Sequence, residues 1–422
     1  MLQVLAACLL GTVGLLLLVT YRSDRLAALV ATFEICAYIL VPTFYLGPVT
    51  SLRSFLLAST VGMTIVLLAR RHIASARVMG AWLYLAYFFA ILTASVLNLG
   101  HSNLGLYVNA MVPGMAVLLA ALCADVFERQ IILRNLVLLA GLEAAYAVGE
   151  AVGVLPRLWS NTVVYPHQLV TGLTRAEGTL GHPLMLAFLL LVALSFSLRG
   201  FGSPGPMRLI LVPLLLAGLF ATGSRSGLVI AIIFMIFTIG RGFTRVVFGV
   251  LVFIGLVAFL VITGFFEGNV VSNFLSGDSV GHRSGALEAV PGLLTHQPFL
   301  NVMLGNGFYS ASSVFQAGLL QSGTFYAIDN QFVLTLVEGG VVTVVLLASF
   351  MTRILLVGKK SRLPIMAILF FFFTFDLLAW SVGSAVVGLV AAVALSSPSG
   401  DSAEGNQKSL VEREFHTFPR SS

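Results

Sequence analysis

The chain has 422 residues, of which 58% are hydrophobic and 9% charged, with a net charge of +6. An average soluble domain is about a quarter charged, so this composition excludes an ordinary soluble enzyme. The surplus of cations follows from membrane topology, argued below, and implies no nucleic-acid partner.

Apolar runs near the length that crosses a bilayer, roughly 17–25 residues, recur from Leu2 to the Ser396 region. The first six lie at about 2–20, 26–46, 54–69, 78–98, 106–124 and 131–149, an N-terminal set of transmembrane helices over residues 1–149. Leu2–Thr20 has no basic lead and no small-residue cleavage site, so it reads as a retained span rather than a signal peptide. A loop covers 150–182. Runs at 183–198, 209–222, 228–240 and 246–265 follow, with a tight hairpin at 222–227. A large loop covers 266–330. The last runs are 331–352, 364–378 and 383–397, and the pair after Pro364 also reads as one broken helix. Residues 398–422 are rich in Ser, Gly and charge and read as a mobile tail. The fold class is all-α, a polytopic transmembrane bundle of about 12–14 spans with a large external loop containing short helices.

Cytoplasmic loops hold the excess of Lys and Arg. One alternating set of loops carries Arg22, Arg25, Arg70, Arg71, Arg77, Arg129, Arg134, Arg199, Arg208, Arg241, Arg245, Arg353, Lys359, Lys360 and Arg362, and the tail adds Lys408, Arg413 and Arg420. The other face has only Arg53, Arg157, Arg175, Arg225 and Arg283. This asymmetry puts the tail in the cytoplasm and both long loops outside. Those loops hold Trp159, Tyr165, Phe274, Phe299, Phe308, Tyr309, Phe315 and Phe325, too many aromatics for disorder. Cys8, Cys36 and Cys123 form no CxxC or Cys/His cluster, so neither a metal site nor a disulfide framework is indicated.

The few external arginines need a reason. Arg175 stands in Thr-Arg-Ala-Glu-Gly-Thr-Leu-Gly-His-Pro, residues 174–183. Arg225 stands in Thr-Gly-Ser-Arg-Ser-Gly, residues 222–227, and Arg283 in Gly-His-Arg-Ser-Gly, residues 281–285. Guanidinium groups bind phosphate oxygens bidentately. Gly and Ser let backbone N–H groups approach the same anion, and a helix N-terminus adds a favourable dipole. The competing reading is that these arginines reach lipid headgroups or pair with Glu177 and Asp278, and it is stronger for Arg157 and Arg53 than for Arg225.

At these residues the chain resembles the O-antigen ligase and polymerase superfamily, membrane glycosyltransferases of the GT-C type. Three blocks carry the resemblance: Arg175 through Pro183, Thr222 through Leu228, and the large loop. The loop runs from Arg283 through His296-Gln-Pro298 and Leu304-Gly-Asn-Gly-Phe308 to Asp329-Asn-Gln-Phe-Val-Leu-Thr-Leu-Val-Glu338. The resemblance implies glycosyl transfer from an undecaprenyl-diphosphate donor without metal or cofactor, on the periplasmic side of a bacterial inner membrane. Implied partners are the lipid-linked oligosaccharide, the bilayer, a chain-length regulator and other polysaccharide assembly proteins. The family's ligases end the large loop with a His-Asn pair. Asp329-Asn330 stands here instead, which favours a polymerase of exopolysaccharide or O-antigen over a ligase acting on lipid A–core. A flippase or transporter is the reading from another class.

A departing lipid diphosphate gains negative charge, which fixed arginines stabilise. Arg225 is the first choice, with Arg283 and Arg175 assisting. The acceptor hydroxyl benefits from a general base. Candidates are Asp329, which leads from its motif position, then His182, His282 and Glu338, and Asn330 joins the substrate-binding set. Asp329 also reads as a helix N-cap, His182 as a cap of its own span, and Glu338 as a buried structural partner. Glu34, Glu143 and Asp376 are intramembrane charges, functional by default, but each stands without a partner visible in the sequence, so a structural role is the stronger reading.

Overall fold

The computed structural model describes residues 25–41, 50–73, 75–158, 165–167, 170, 173–201, 205–238, 285–320 and 328–396. The runs at 2–20 and 246–265, the tail after 397, and the candidates Arg283 and His282 lie outside them. The architecture is all-α. Among the described residues the helices run in chain order from α1 (Leu26–Leu40) through α2 (Thr50–Arg70), α3 (Ser75–Leu97) and α4 (Leu104–Cys123) to α5 (Val126–Ala151). Then follow α6 (Pro183–Leu198), α7 (Gly205–Ala221) and α8 (Arg225–Thr238). Short helices α9 (Val290–Thr295), α10 (Phe299–Leu304) and α11 (Ala311–Gln316) lie in the large loop. The chain closes with α12 (Gln331–Val357), α13 (Arg362–Phe372) and α14 (Ser381–Leu395).

Among the described residues four helices, α3, α4, α5 and α12, are long and apolar enough to cross a membrane. Large apolar side chains such as Trp82, Phe89, Leu209, Ile210 and Phe237 face outward, as they would toward lipid rather than water. Two helices are apolar on every side and lie inside the bundle, as such helices must: α6, buried from Met185 to Ser197, and α14. Small residues let α14 approach α4 closely. A Cβ on Gly388 would collide with the Gly114 carbonyl, and Ser384 Oγ donates to the Ala110 carbonyl.

The last helices differ from two plain spans. α13 has 11 residues and stops at Phe372, and the chain turns through Phe373–Trp380 before α14 begins. At about 1.5 Å per residue α13 rises only ~16 Å. A second interruption sits inside α12, where Gly340 has φ 70°, a conformation that suits glycine. The backbone groups freed there are taken by the large loop. Asn306 N–H donates to the Val337 carbonyl and Gly307 N–H to the Glu338 carbonyl, both at 2.9 Å. A Cβ on Gly305 or Gly340 would strike the backbone of the opposite segment.

Contacts sort the connections to two ends. At one end Ala27, Arg71 and Glu128 meet, and Arg129 Nη1 donates to the Ser396 carbonyl at 3.3 Å. At the other, Thr179 Oγ1 lies 2.7 Å from the Ile39 carbonyl, Asn103 N–H donates to the Phe308 carbonyl, and Ala176 N–H to the Ala221 carbonyl. The described parts of both long loops belong to this second end.

Candidate functional site

The segment 173–182 and the turn 222–225 meet at the second end. Arg175 Nε donates to the Thr222 carbonyl at 2.8 Å. Thr222 shapes its own turn, its Oγ1 donating to the Leu219 carbonyl and accepting from Ser224 N–H. Ser224 Oγ accepts from Gly227 N–H, a cap on the first turn of α8. Arg225, half-buried, therefore opens that helix. Arg175 is buried, and its guanidinium lies 5.9 Å from the Tyr165 ring centroid, within cation–π range. Burial above all, with the neighbouring positive charge of Arg225, pushes Arg175 down to about 10, against the opposing pull of Tyr165 and Glu177. It keeps its charge at neutral pH. Two cations close enough to repel one another form a place where an anion is favoured.

His182 caps α6, its Nδ1 accepting from Leu184 N–H at 3.2 Å. The ring stacks on Phe375 at 5.0 Å and lies 5.2 Å from Trp380 and 6.0 Å from Tyr165. Burial and then the Arg175 charge push its pKa down to about 3. The imidazole is neutral and its Nδ1 is occupied, which leaves an Nε2–H donor. That geometry gives His182 no lone pair with which to act as the general base considered above. Trp380 continues the chain of contacts, its indole N–H donating to Asp376 Oδ1 at 3.3 Å.

Asp376 lies in the turn between α13 and α14, near enough to Asp329 and Glu338 to interact with both electrostatically. Three carboxylates thus gather beside the aromatic cradle. Asn330, not Asp329, is the N-cap of α12, its Oδ1 accepting from Phe332 and Val333 N–H at 3.0 and 3.2 Å. This leaves Asp329 half-buried at the edge of the cluster, and it commits the Asn330 oxygen to the helix rather than to a substrate. Glu338 is buried, and its Oε1 accepts from Tyr309 N–H at 2.7 Å. Tyr309 itself is half-exposed with φ 68°.

The sequence reading gave Glu143 and Asp376 no partners and did not single out Glu150. Glu143 accepts from Thr179 N–H and Oγ1, and Glu150 accepts from Glu177 and Gly178 N–H. Arg157 pairs with Glu150 at 3.6 Å and Glu177 at 3.8 Å, and its Nη2 donates to the Arg175 carbonyl at 3.0 Å. The alternative reading of Arg157 as a partner of Glu177 describes its placement. Thr179 lies beside Glu143 and Glu177 beside Glu150, so both glutamates converge on residues 177–179.

No family model matches the chain, and no curated protein matches it either.

Proposed function

We propose that the protein is a metal-independent glycosyltransferase that polymerises polyprenyl-diphosphate-linked repeat units at the external face of a bacterial cytoplasmic membrane. The observation that carries this reading is the meeting of Arg175 with the turn that bears Arg225, joined through His182 and Trp380 to Asp376, Asp329 and Glu338. The two cations take the donor's diphosphate and the carboxylates face the acceptor. The acceptor oxygen forms a bond to the anomeric carbon while the bond from that carbon to the diphosphate oxygen breaks. The electron pair leaves with the diphosphate, where the guanidinium groups offset it. The acceptor proton goes to a carboxylate, Asp329 first from its position at the start of α12, where Asn330 rather than Asp329 caps the helix. The excess of Lys and Arg in the loops of the opposite end supports an external site.

A second reading is passage of the same lipid-linked sugar across the membrane. It draws on the interruptions at Gly340 and at Phe373–Trp380, since transporters build their sites from broken helices. Deleting the gene and sizing the cell's polysaccharide separates the readings. Single repeat units on the final acceptor mean a lost polymerase. Lipid-linked units confined to the cytoplasmic face mean a lost flippase and overturn the polymerase reading. Long lipid-linked chains that never reach lipid A mean a lost ligase.

A further inference from the structure

The segment from Arg175 to His182 has no regular structure of its own apart from a three-residue turn at Gly178–Leu180, yet it carries two site residues. Its first residues are tied by Arg175 N–H to the Tyr165 carbonyl and Ala176 N–H to the Ala221 carbonyl, and residues 177–179 are tied to α5. Glu143 and Glu150 are seven residues apart, two turns, and so lie on one face of that helix. Glu150 accepts from Glu177 N–H at 3.1 and 3.2 Å and from Gly178 N–H at 2.8 Å. Glu143 accepts from Thr179 N–H at 3.0 Å and Thr179 Oγ1 at 2.6 Å. Three consecutive backbone N–H groups are thereby turned toward two carboxylates. Gly178 makes the approach possible: its φ is 60°, and a Cβ there would lie 2.6 Å from Glu143 Oε2. Arg157 closes the arrangement by joining Glu150 to the Arg175 carbonyl.

We infer that Glu150, supported by Glu143, is a positioning residue that holds Arg175 in register with Arg225 by gripping the backbone of residues 177–179. The chemistry favours carboxylates over amides here. An ionised carboxylate is an acceptor through both oxygens, whereas an amide would turn an NH₂ toward the same N–H donors. Charge-assisted hydrogen bonds of this kind are about twice as strong as neutral ones. The role of Arg175 as a diphosphate ligand rests on the function proposed above, but the grip itself does not.

Two measurements on the full chain in nanodiscs separate the claims. The first is hydrogen–deuterium exchange of the peptide covering 173–182, compared between the native chain, Glu150→Gln and Glu150→Asp. Glu150→Gln should speed exchange at residues 177–178 on the order of tenfold with α4 and α14 unchanged, and Glu150→Asp, which keeps two acceptor oxygens, should recover part of the protection. Unchanged exchange in Glu150→Gln overturns the inference, and so does uniform loosening of the whole bundle in both variants. The second is binding of undecaprenyl diphosphate. Glu150→Gln should weaken it roughly tenfold or more, the scale of a displaced ligand-binding group. Adding Glu150→Gln to Arg175→Ala should weaken it no further than Arg175→Ala alone, because residues that act through one another are not additive. Fully additive losses overturn the claim that Glu150 works through Arg175. Native affinity in Arg175→Ala sinks the diphosphate reading instead, and the exchange result then decides the grip by itself.

Discussion

Helix α5 carries a buried glutamate at each end, and the two are kept for different reasons. Glu128 lies in the first turn. It completes a capping box with Asp125, accepts from Ala27 N–H at 3.1 Å and lies 3.6 Å from Arg71. The helix dipole favours a negative charge there. Glu150 lies in the last turn, where the dipole opposes it. Its compensation comes from Glu177 and Gly178 N–H and from Arg157. A charge placed against the helix field and held by distant backbone is a costly arrangement. The difference teaches that one end of the bundle is built to close itself and the other to hold a loop that presents cations.

The sharpest way to break that contrast is to remove one arginine from each end. Arg225→Ala should cut polymer formation on the order of 10²–10³-fold, the scale of losing one group that stabilises developing negative charge. The protein should remain in the membrane at its normal level. Arg225→Lys should also be defective, because the bidentate geometry is lost. Arg71→Ala should leave polymer output near the native level, since Arg71 and its partner Glu128 lie at the opposite end of the bundle from Arg225. Normal long-chain polymer from Arg225→Ala removes that residue from the site.

Asp329→Asn tests the carboxylate side of the same end. Loss of a general base costs typically about 10²-fold or more, and because Asn330 already caps α12, the substitution should leave thermal stability unchanged. Polymer length and yield, measured beside the melting temperature, check both halves. Near-native yield would leave Asp329 no part in the reaction.

Glu128→Gln addresses the closed end. It keeps the shape but weakens the capping box and the Arg71 pair, so it should lower stability by about 1–2 kcal/mol and leave polymer output intact. A loss of output at unchanged stability would show that the two ends of α5 do not divide their roles.

The same contrast explains what the sequence made legible. Asp125-Val-Phe-Glu128 has the spacing of a capping box, because its partners lie three residues apart. The tight turn before Arg225 and the helix it opens were also legible, since Gly223 and Ser224 act locally. The bundle class followed from the apolar runs. The partners of Glu143 and Glu150 were not legible: they lie 27 to 36 residues away, and nothing periodic marks a backbone N–H that will be gripped. The i, i+7 spacing of the two glutamates on one apolar helix was the available signal. Asp376 stayed obscure for the same reason, since its neighbours Asp329 and Glu338 reach it only when α13 stops after three turns. The glycines at 305 and 340 occupy the seam between the large loop and α12.

The smallest effect sharpens the picture of the gripped segment. Burial, opposed by Arg157, raises Glu177 from the usual carboxylate range to about 7. A carboxyl whose folded pKa lies above its unfolded value contributes stability below the unfolded pKa, and loses it as pH rises through the folded value. Between about pH 4.5 and pH 7 the unfolded chain ionises Glu177 while the folded chain resists, so the folded state weakens over that window. Glu177→Gln removes this titration. The native chain should therefore fall further in melting temperature between pH 4.5 and pH 8 than Glu177→Gln does. Parallel melting curves for the two proteins across that range would mean that Glu177 is already ionised in the fold, held by Arg157, and that the segment beside α5 is wetter than its burial implies.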